Sequence, residues 1–144
     1  MSEPAANRTN PAAVDEDALV EEARAARAHA YAPYSGFPVG AAVATDAGVF
    51  RGVNVENASY PVGTCAERVA AAAAVAGGAS RIDAVAVAGP SADPTRPCGA
   101  CRQFLNEFGS RMLVISAGSS GERRRWSLTD LLPEAFGPDA LHGS

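Results

Sequence analysis

The sequence predicts an α/β protein, a three-layer α/β/α sandwich built on a mixed β-sheet. Three observations carry that expectation: helical and strand-like segments alternate through most of the chain, a hairpin pattern follows the first helix, and residues 82–88 form an apolar run. Such a short run, apolar except for Asp83, reads as a strand covered on both faces.

Residues 1–14, with Pro4, Asn7, Asn10 and Pro11, are polar and broken by turn formers, so they are expected to be a flexible tail before a single domain spanning 15–144. From Asp15 to Ala30, Leu19, Val20, Ala23, Ala26 and Ala30 recur at helical spacing among Glu21, Glu22, Arg24 and Arg27. That amphipathic helix ends near Pro33, which disfavours helix in the residue before it. Residues 38–45 and 49–53 are Val- and Ala-rich runs separated by Asp46, Ala47 and Gly48, a hairpin signature. A second helix spans 64–75, with Thr64 as N-cap, Glu67 as its capping-box partner and Gly77–Gly78 as the stop. After the strand at 82–88 come a helix over 98–108 ended by Gly109, a strand over 112–116, a flexible turn over 117–121 and a short helix over 128–132 before Pro133.

The composition narrows the function classes. A chain of 144 residues, 47% hydrophobic and 19% charged, fits one soluble domain. A net charge of −4 offers no electrostatic reason to approach nucleic acid or an anionic membrane. All the basic residues besides histidine are arginine, and Arg123, Arg124 and Arg125 in so acidic a chain read as a solvated or inter-subunit face. With no signal-type apolar segment and no run of about 18 apolar residues, the expected location is the cytoplasm. In a reducing compartment three cysteines point to ligands or nucleophiles rather than disulfides.

Cys65 and Glu67 begin one expected helix, and Cys98 and Cys101 begin another. Helix N-termini present unpaired amides and a positive dipole end, which favour thiolate over thiol. Three thiolates on one Zn²⁺ leave the fourth tetrahedral position for water, which is a catalytic rather than a structural pattern. Taken singly, the residues also fit blander roles: the cysteines as buried small side chains or structural zinc ligands, and Glu67 as a capping carboxylate. His29 reads as an ordinary helix residue and His142 as a tail residue, so no histidine is assigned to zinc.

Cys65-Ala66-Glu67 with Pro97-Cys98-Gly99-Ala100-Cys101 matches the signature of zinc nucleobase deaminases in its three-cysteine form. The likeness extends to 31-YAPYSGFPVG-40, 54-NVEN-57 and 60-YPVGTCAER-68, and the region from about Ala30 to Leu141 resembles the small-subunit cytidine deaminases. The resemblance implies hydrolytic deamination of cytidine and deoxycytidine to uridine and deoxyuridine plus ammonia, in pyrimidine salvage, with zinc activating the attacking water. It gives Glu67 the proton transfers, Phe37 the stacking on the pyrimidine, Asn54 and Glu56 the ribose 3′-hydroxyl, and the Ala66 amide the base carbonyl. It further implies that Arg68 hydrogen-bonds ligand sulfurs, with Arg102 a second candidate, and that Tyr60 and Phe136 belong to the substrate site. The segment 132-LPEAFGP-138 resembles one whose aromatic reaches a neighbouring subunit's site, so a homotetramer is implied. Two other readings stand beside this one: a deaminase of another cytosine nucleoside, such as a blasticidin-type antibiotic, and a non-enzymatic zinc-stabilised thiol protein.

Overall fold

The computed structural model describes residues 14–142, so the expected tail over 1–14 lies outside the described residues except for Val14, which packs against the core beside the first helix. The elements run α1 (Glu16–Arg27), β1 (Gly40–Thr45), β2 (Gly48–Val53), a single 3₁₀ turn (Tyr60–Val62), α2 (Ala66–Ala76), β3 (Ile82–Ala88), α3 (Gly99–Asn106), β4 (Leu113–Ala117), β5 (Arg123–Ser127), α4 (Leu128–Leu131) and α5 (Pro138–His142). The five strands form one sheet in the order β2-β1-β3-β4-β5. Only β3 and β4 run parallel, joined through α3; the other neighbours are antiparallel, so the sheet is mixed.

Side-chain size along β3 sorts the two faces. Val85 and Val87 point into a core shared with Ala66, Ala70, Ala71 and Ala74 of α2, Leu105 of α3 and Leu128 of α4. Ala84, Ala86 and Ala88 face the other way, against Leu19, Val20 and Ala23 of α1. The run is therefore apolar on both faces and still alternates, with larger residues toward the helices that carry the cysteines. Helices on both faces give the three layers that the sequence predicts.

Two glycines let helix backbone touch strand backbone. A Cβ on Gly40 would lie 2.1 Å from the Ala23 carbonyl oxygen of α1, and one on Gly52 would lie 2.3 Å from the Ala70 nitrogen and 2.4 Å from the Ala66 oxygen of α2. Neither distance can be relieved by moving a side chain. Gly52→Ala is expected to destabilise the protein by about 3 kcal/mol or more, the upper end of overpacking costs, because α2 must lift off β2. Urea unfolding of the variant with an unshifted midpoint would show that α2 is not held this closely.

Four features depart from the sequence expectations. α2 begins at Ala66 with Cys65 as its N-cap, not at Thr64. The Thr64 backbone instead exchanges 2.9 Å hydrogen bonds with Val55, which ties the α2 entry to the segment after β2. β5 is a strand where only a polar stretch was expected, and α5 is an additional short helix. β5 lies at the sheet edge with its arginines toward solvent and toward α1: Arg125 pairs with Glu16 through two 2.8 Å contacts, and Arg123 pairs with Asp17. The arginine run is thus a strand edge bound to the acidic first turn of α1. α1 itself ends at Arg27, three residues before the expected Ala30, and its Asp15 N-cap accepts from the Ala18 amide at 3.1 Å.

Candidate metal centre and active site

Two helices deliver the cysteines, each by the same device. Cys65 is the N-cap of α2 and Cys98 the N-cap of α3, both in extended backbone conformation and neither making a side-chain capping bond. Cys101 sits in the first turn of α3. A cysteine at an N-cap stands at the positive end of the helix dipole, so the places where serine or aspartate would normally close the helix are occupied by thiols.

The three Sγ atoms lie within 4.8 Å of one another, with Cys65 and Cys98 at 3.9 Å. Sulfurs about 2.3 Å from a tetrahedral zinc stand about 3.8 Å apart, so the cluster has the dimensions of that ion's coordination shell. Among the described residues the group of possible ligands ends at these three; neither His29 nor His142 joins them. Exposure is graded, with Cys101 buried, Cys65 half-buried and Cys98 exposed, so the cluster opens to solvent on the Cys98 side.

Zinc with three thiolates carries net negative charge, and Arg68 lies against it. Its Nη2 donates to the Cys65 Sγ at 3.6 Å, while its buried Nε has no hydrogen-bond partner among the described residues. Hydrogen bonding with Cys101, and then with Arg68, draws the Cys65 pKa down to about 5, while the same interaction with Cys65 and burial push Cys101 up. Arg102 is differently engaged, which corrects its expected part at the sulfurs: its Nε donates to the Pro97 carbonyl at 2.8 Å and its Nη1 to the Leu131 carbonyl at 2.9 Å. It ties the residue before Cys98 to the end of α4.

Glu67 stands at the second position of α2 and is only 4% exposed. Because the N-cap is Cys65, Thr64 lies outside the helix and the expected capping box between Thr64 and Glu67 does not form; the carboxylate accepts from its own backbone amide instead. Burial pushes its pKa up to about 7, in the range where a carboxylate both takes and gives protons near neutrality.

A cavity of about 350 Å³, within the roughly 300–1,000 Å³ typical of small-molecule sites, is lined by Tyr34, Ser35, Glu56, Asn57, Tyr60 and Gly63, the last of which stands two residues before Cys65 in the chain. Of the residues expected at the substrate, Glu56 and Tyr60 line it. Phe37 is 38% exposed and Phe136 60% exposed. Phe136 sits on a segment whose carbonyl accepts from Gln103 at 2.9 Å, and Ala66 opens α2 with a buried side chain. Asn54 faces the chain segment before β1, where its Oδ1 accepts from the Val39 amide at 2.8 Å and its Nδ2 donates to the Phe37 carbonyl at 2.9 Å. Tyr34, Ser35, Asn57 and Gly63 were not singled out from the sequence. They fall inside the motifs that carried the resemblance, but only the fold shows that they share a wall.

The family model of the cytidine and deoxycytidylate deaminase zinc-binding region matches residues 14–117, a span that includes all three cysteines, Glu67 and Arg68. The chain belongs to this family. Its relatives include the cytidine deaminase of Sporosarcina psychrophila, 41% identical over 130 residues that cover 89% of this chain and 96% of that one. The cytidine deaminase of Mycobacterium tuberculosis is 43% identical over 129 residues, 89% of this chain and 94% of the relative. Among solved structures, the deaminase superposes on cytidine deaminase from Burkholderia pseudomallei with a TM-score of 0.81 at 49% identity, covering 85% of this chain and all of the other. The three cysteines of this deaminase fit the zinc that the family's name specifies, in donor chemistry as well as spacing.

Proposed function

We propose that the protein deaminates cytidine and deoxycytidine hydrolytically, releasing uridine or deoxyuridine and ammonia. The observation that carries this reading is Glu67: a carboxylate buried to 4% exposure beside three thiols arranged for one metal ion. A structural zinc site has no use for such a group.

Cys65, Cys98 and Cys101 would hold the zinc, which supplies Lewis acidity and lowers the pKa of water at its remaining position. The chain's own residues do the rest. Glu67 takes one proton from the attacking water and passes it to N3 of the pyrimidine, then takes the remaining proton of the added hydroxyl and passes it to the departing amine, so that water is consumed and ammonia leaves. The Ala66 amide, at the start of α2 where helix N–H groups lack internal partners, holds the base carbonyl. Phe37 stacks on the pyrimidine, Asn54 and Glu56 take the ribose 3′-hydroxyl, and Tyr60 closes the cavity wall. Arg68 offsets the charge of the thiolates through its contact with Cys65.

The same reading places a single deaminase domain over 15–144 in a cytoplasmic homotetramer acting in pyrimidine salvage. No helix among the described residues is long and apolar enough to cross a membrane. Exposed apolar side chains at Tyr31, Tyr60, Val62 and Phe136 suit subunit contacts, with Phe136 reaching a neighbour's site.

The test is a side-by-side assay of the zinc-loaded protein on cytidine, deoxycytidine, cytosine, 5-methylcytidine and a bulky cytosine antibiotic, followed by loss of ultraviolet absorbance. Turnover of the first two is expected. Reaction with the antibiotic alone would overturn the substrate, and no turnover of any cytosine compound would leave a zinc-stabilised thiol protein. Light scattering on the same sample should give the mass of a tetramer of 14.6 kDa chains.

A further inference from the structure

The connection from α1 to β1 contains a tight turn around a carboxylate. The Gly36 amide donates back to the Ala32 carbonyl at 3.0 Å, and Gly36 closes the loop at a φ of 65°, a left-handed conformation glycine adopts readily. Inside that turn sits the carboxylate of Glu56, delivered from the segment after β2. Its Oε1 accepts from the Tyr34 and Ser35 amides, each at 3.0 Å, and its Oε2 accepts from the Ser35 hydroxyl.

The Ser35 oxygen has a second bond, since it accepts from the Phe37 amide at 3.0 Å. With that N–H filling the acceptor side, the single hydroxyl proton is directed at Glu56. One oxygen therefore links the backbone of Phe37 to the carboxylate of Glu56. Asn54 holds the other side of the same residue through the Phe37 carbonyl. Phe37 is 38% exposed, and this polar clamp fixes the backbone from which its ring projects.

We propose that Ser35 is a positioning residue that couples sugar recognition at Glu56 to base stacking at Phe37. The proposal rests on the nucleoside reading above. A carboxylate offers about four acceptor directions, and three are filled by the turn, leaving one for substrate. Glu56 is thereby aimed to take one sugar hydroxyl and no more. The hydroxyl of Ser35 is also the main influence holding the Glu56 carboxyl below its usual pKa, keeping it an ionised acceptor. Without Ser35, Oε2 and the Phe37 amide each lose a partner, and the two ends of the site become independent.

The experiment compares cytidine with 2′,3′-dideoxycytidine, which lacks the hydroxyls, on zinc-loaded wild type, Ser35→Ala and Ser35→Thr. Ser35→Ala is expected to raise the KM for cytidine about tenfold, with kcat within about twofold, as lost uniform binding does. The same substitution should raise the KM for the dideoxynucleoside by about threefold or less, because the hydroxyl that Glu56 would take is absent. Ser35→Thr, which restores the hydroxyl at an exposed position, should return the cytidine KM to within about threefold of wild type. An equal factor on both substrates, or no change with cytidine, would overturn the coupling; so would a Thr variant as impaired as the Ala variant. Failure of the wild type to turn over cytidine would instead remove the nucleoside reading, so the two failures are distinguishable.

Discussion

Glu67→Gln is expected to retain stoichiometric zinc and the native fold while cytidine turnover falls by about 10³-fold or more, the upper range for a lost general acid–base group. Glutamine has nearly the same shape, which matters at a side chain only 4% exposed in the α2 first turn. What it lacks is the ability to carry a proton, and in the proposed reaction the group must twice take a proton from the attacking water or its added hydroxyl and twice deliver it, to N3 and to the leaving amine. A 10³-fold loss corresponds to about 4 kcal/mol of transition-state stabilisation. The glutamine carbonyl oxygen can still accept from the backbone amide that the carboxylate engages, so the first turn of α2 keeps that bond and stability and activity separate. Parallel measurement of metal by mass spectrometry, unfolding temperature and turnover decides it. A variant with wild-type turnover would take Glu67 out of the chemistry, and a variant without zinc would make it a support of the metal site.

The second large effect is at Cys98. Cys98→Ser is expected to hold less than about a tenth of stoichiometric zinc and to lose turnover to background, since a serine hydroxyl is not ionised at neutral pH and makes a poor replacement for a thiolate ligand. The position is chosen for what serine does otherwise. Cys98 is the N-cap of α3 in extended conformation with no capping bond of its own, and serine is among the preferred N-caps, worth about 1 kcal/mol over residues that cannot cap. The start of α3 should therefore survive, while the stabilisation that zinc gives by binding only the folded state disappears. Circular dichroism of the native helix content together with a lowered unfolding temperature that excess zinc does not restore is the expected pattern. Full zinc occupancy and activity in the variant would mean that Cys98 is not a ligand.

The fold was legible wherever side-chain pattern and backbone requirement coincide. β3 could be recognised because a strand covered on both faces has no polar alternation, and its observed bounds, Ile82–Ala88, are those of the expected run. β5 was hidden because three consecutive arginines carry no apolar period; the strand exists through pairing with β4 and through Glu16 and Asp17 of α1, partners more than a hundred residues away. The start of α2 was misplaced for a related reason. Thr64 is the better N-cap locally, but its backbone is engaged by Val55, so the cap passes to Cys65, and that is what brings the sulfur to the metal site. The cysteines and Glu67 stood out in the sequence through their match to a known spacing, since Glu67 alone reads as a capping carboxylate, and the fold brings the three sulfurs together. The part of Ser35 was not, because its hydroxyl acquires meaning only once Glu56, a residue 21 positions away, is folded against it.

The arginine edge also bears on how copies of the chain can meet. An outermost strand exposes unpaired N–H and C=O groups that invite another chain to extend the sheet. On β5 such an extension would bring two arginine rows to within a strand spacing of about 4.8 Å, a mutual repulsion that closes this route. Continuous sheets between copies are thereby disfavoured on that side, and the homotetramer proposed above would have to form through other surfaces, such as the loops that carry the exposed Tyr60 and Phe136. An enzyme whose neighbours join at the rim of the cavity, rather than along its sheet, would have active sites that are complete only in the oligomer.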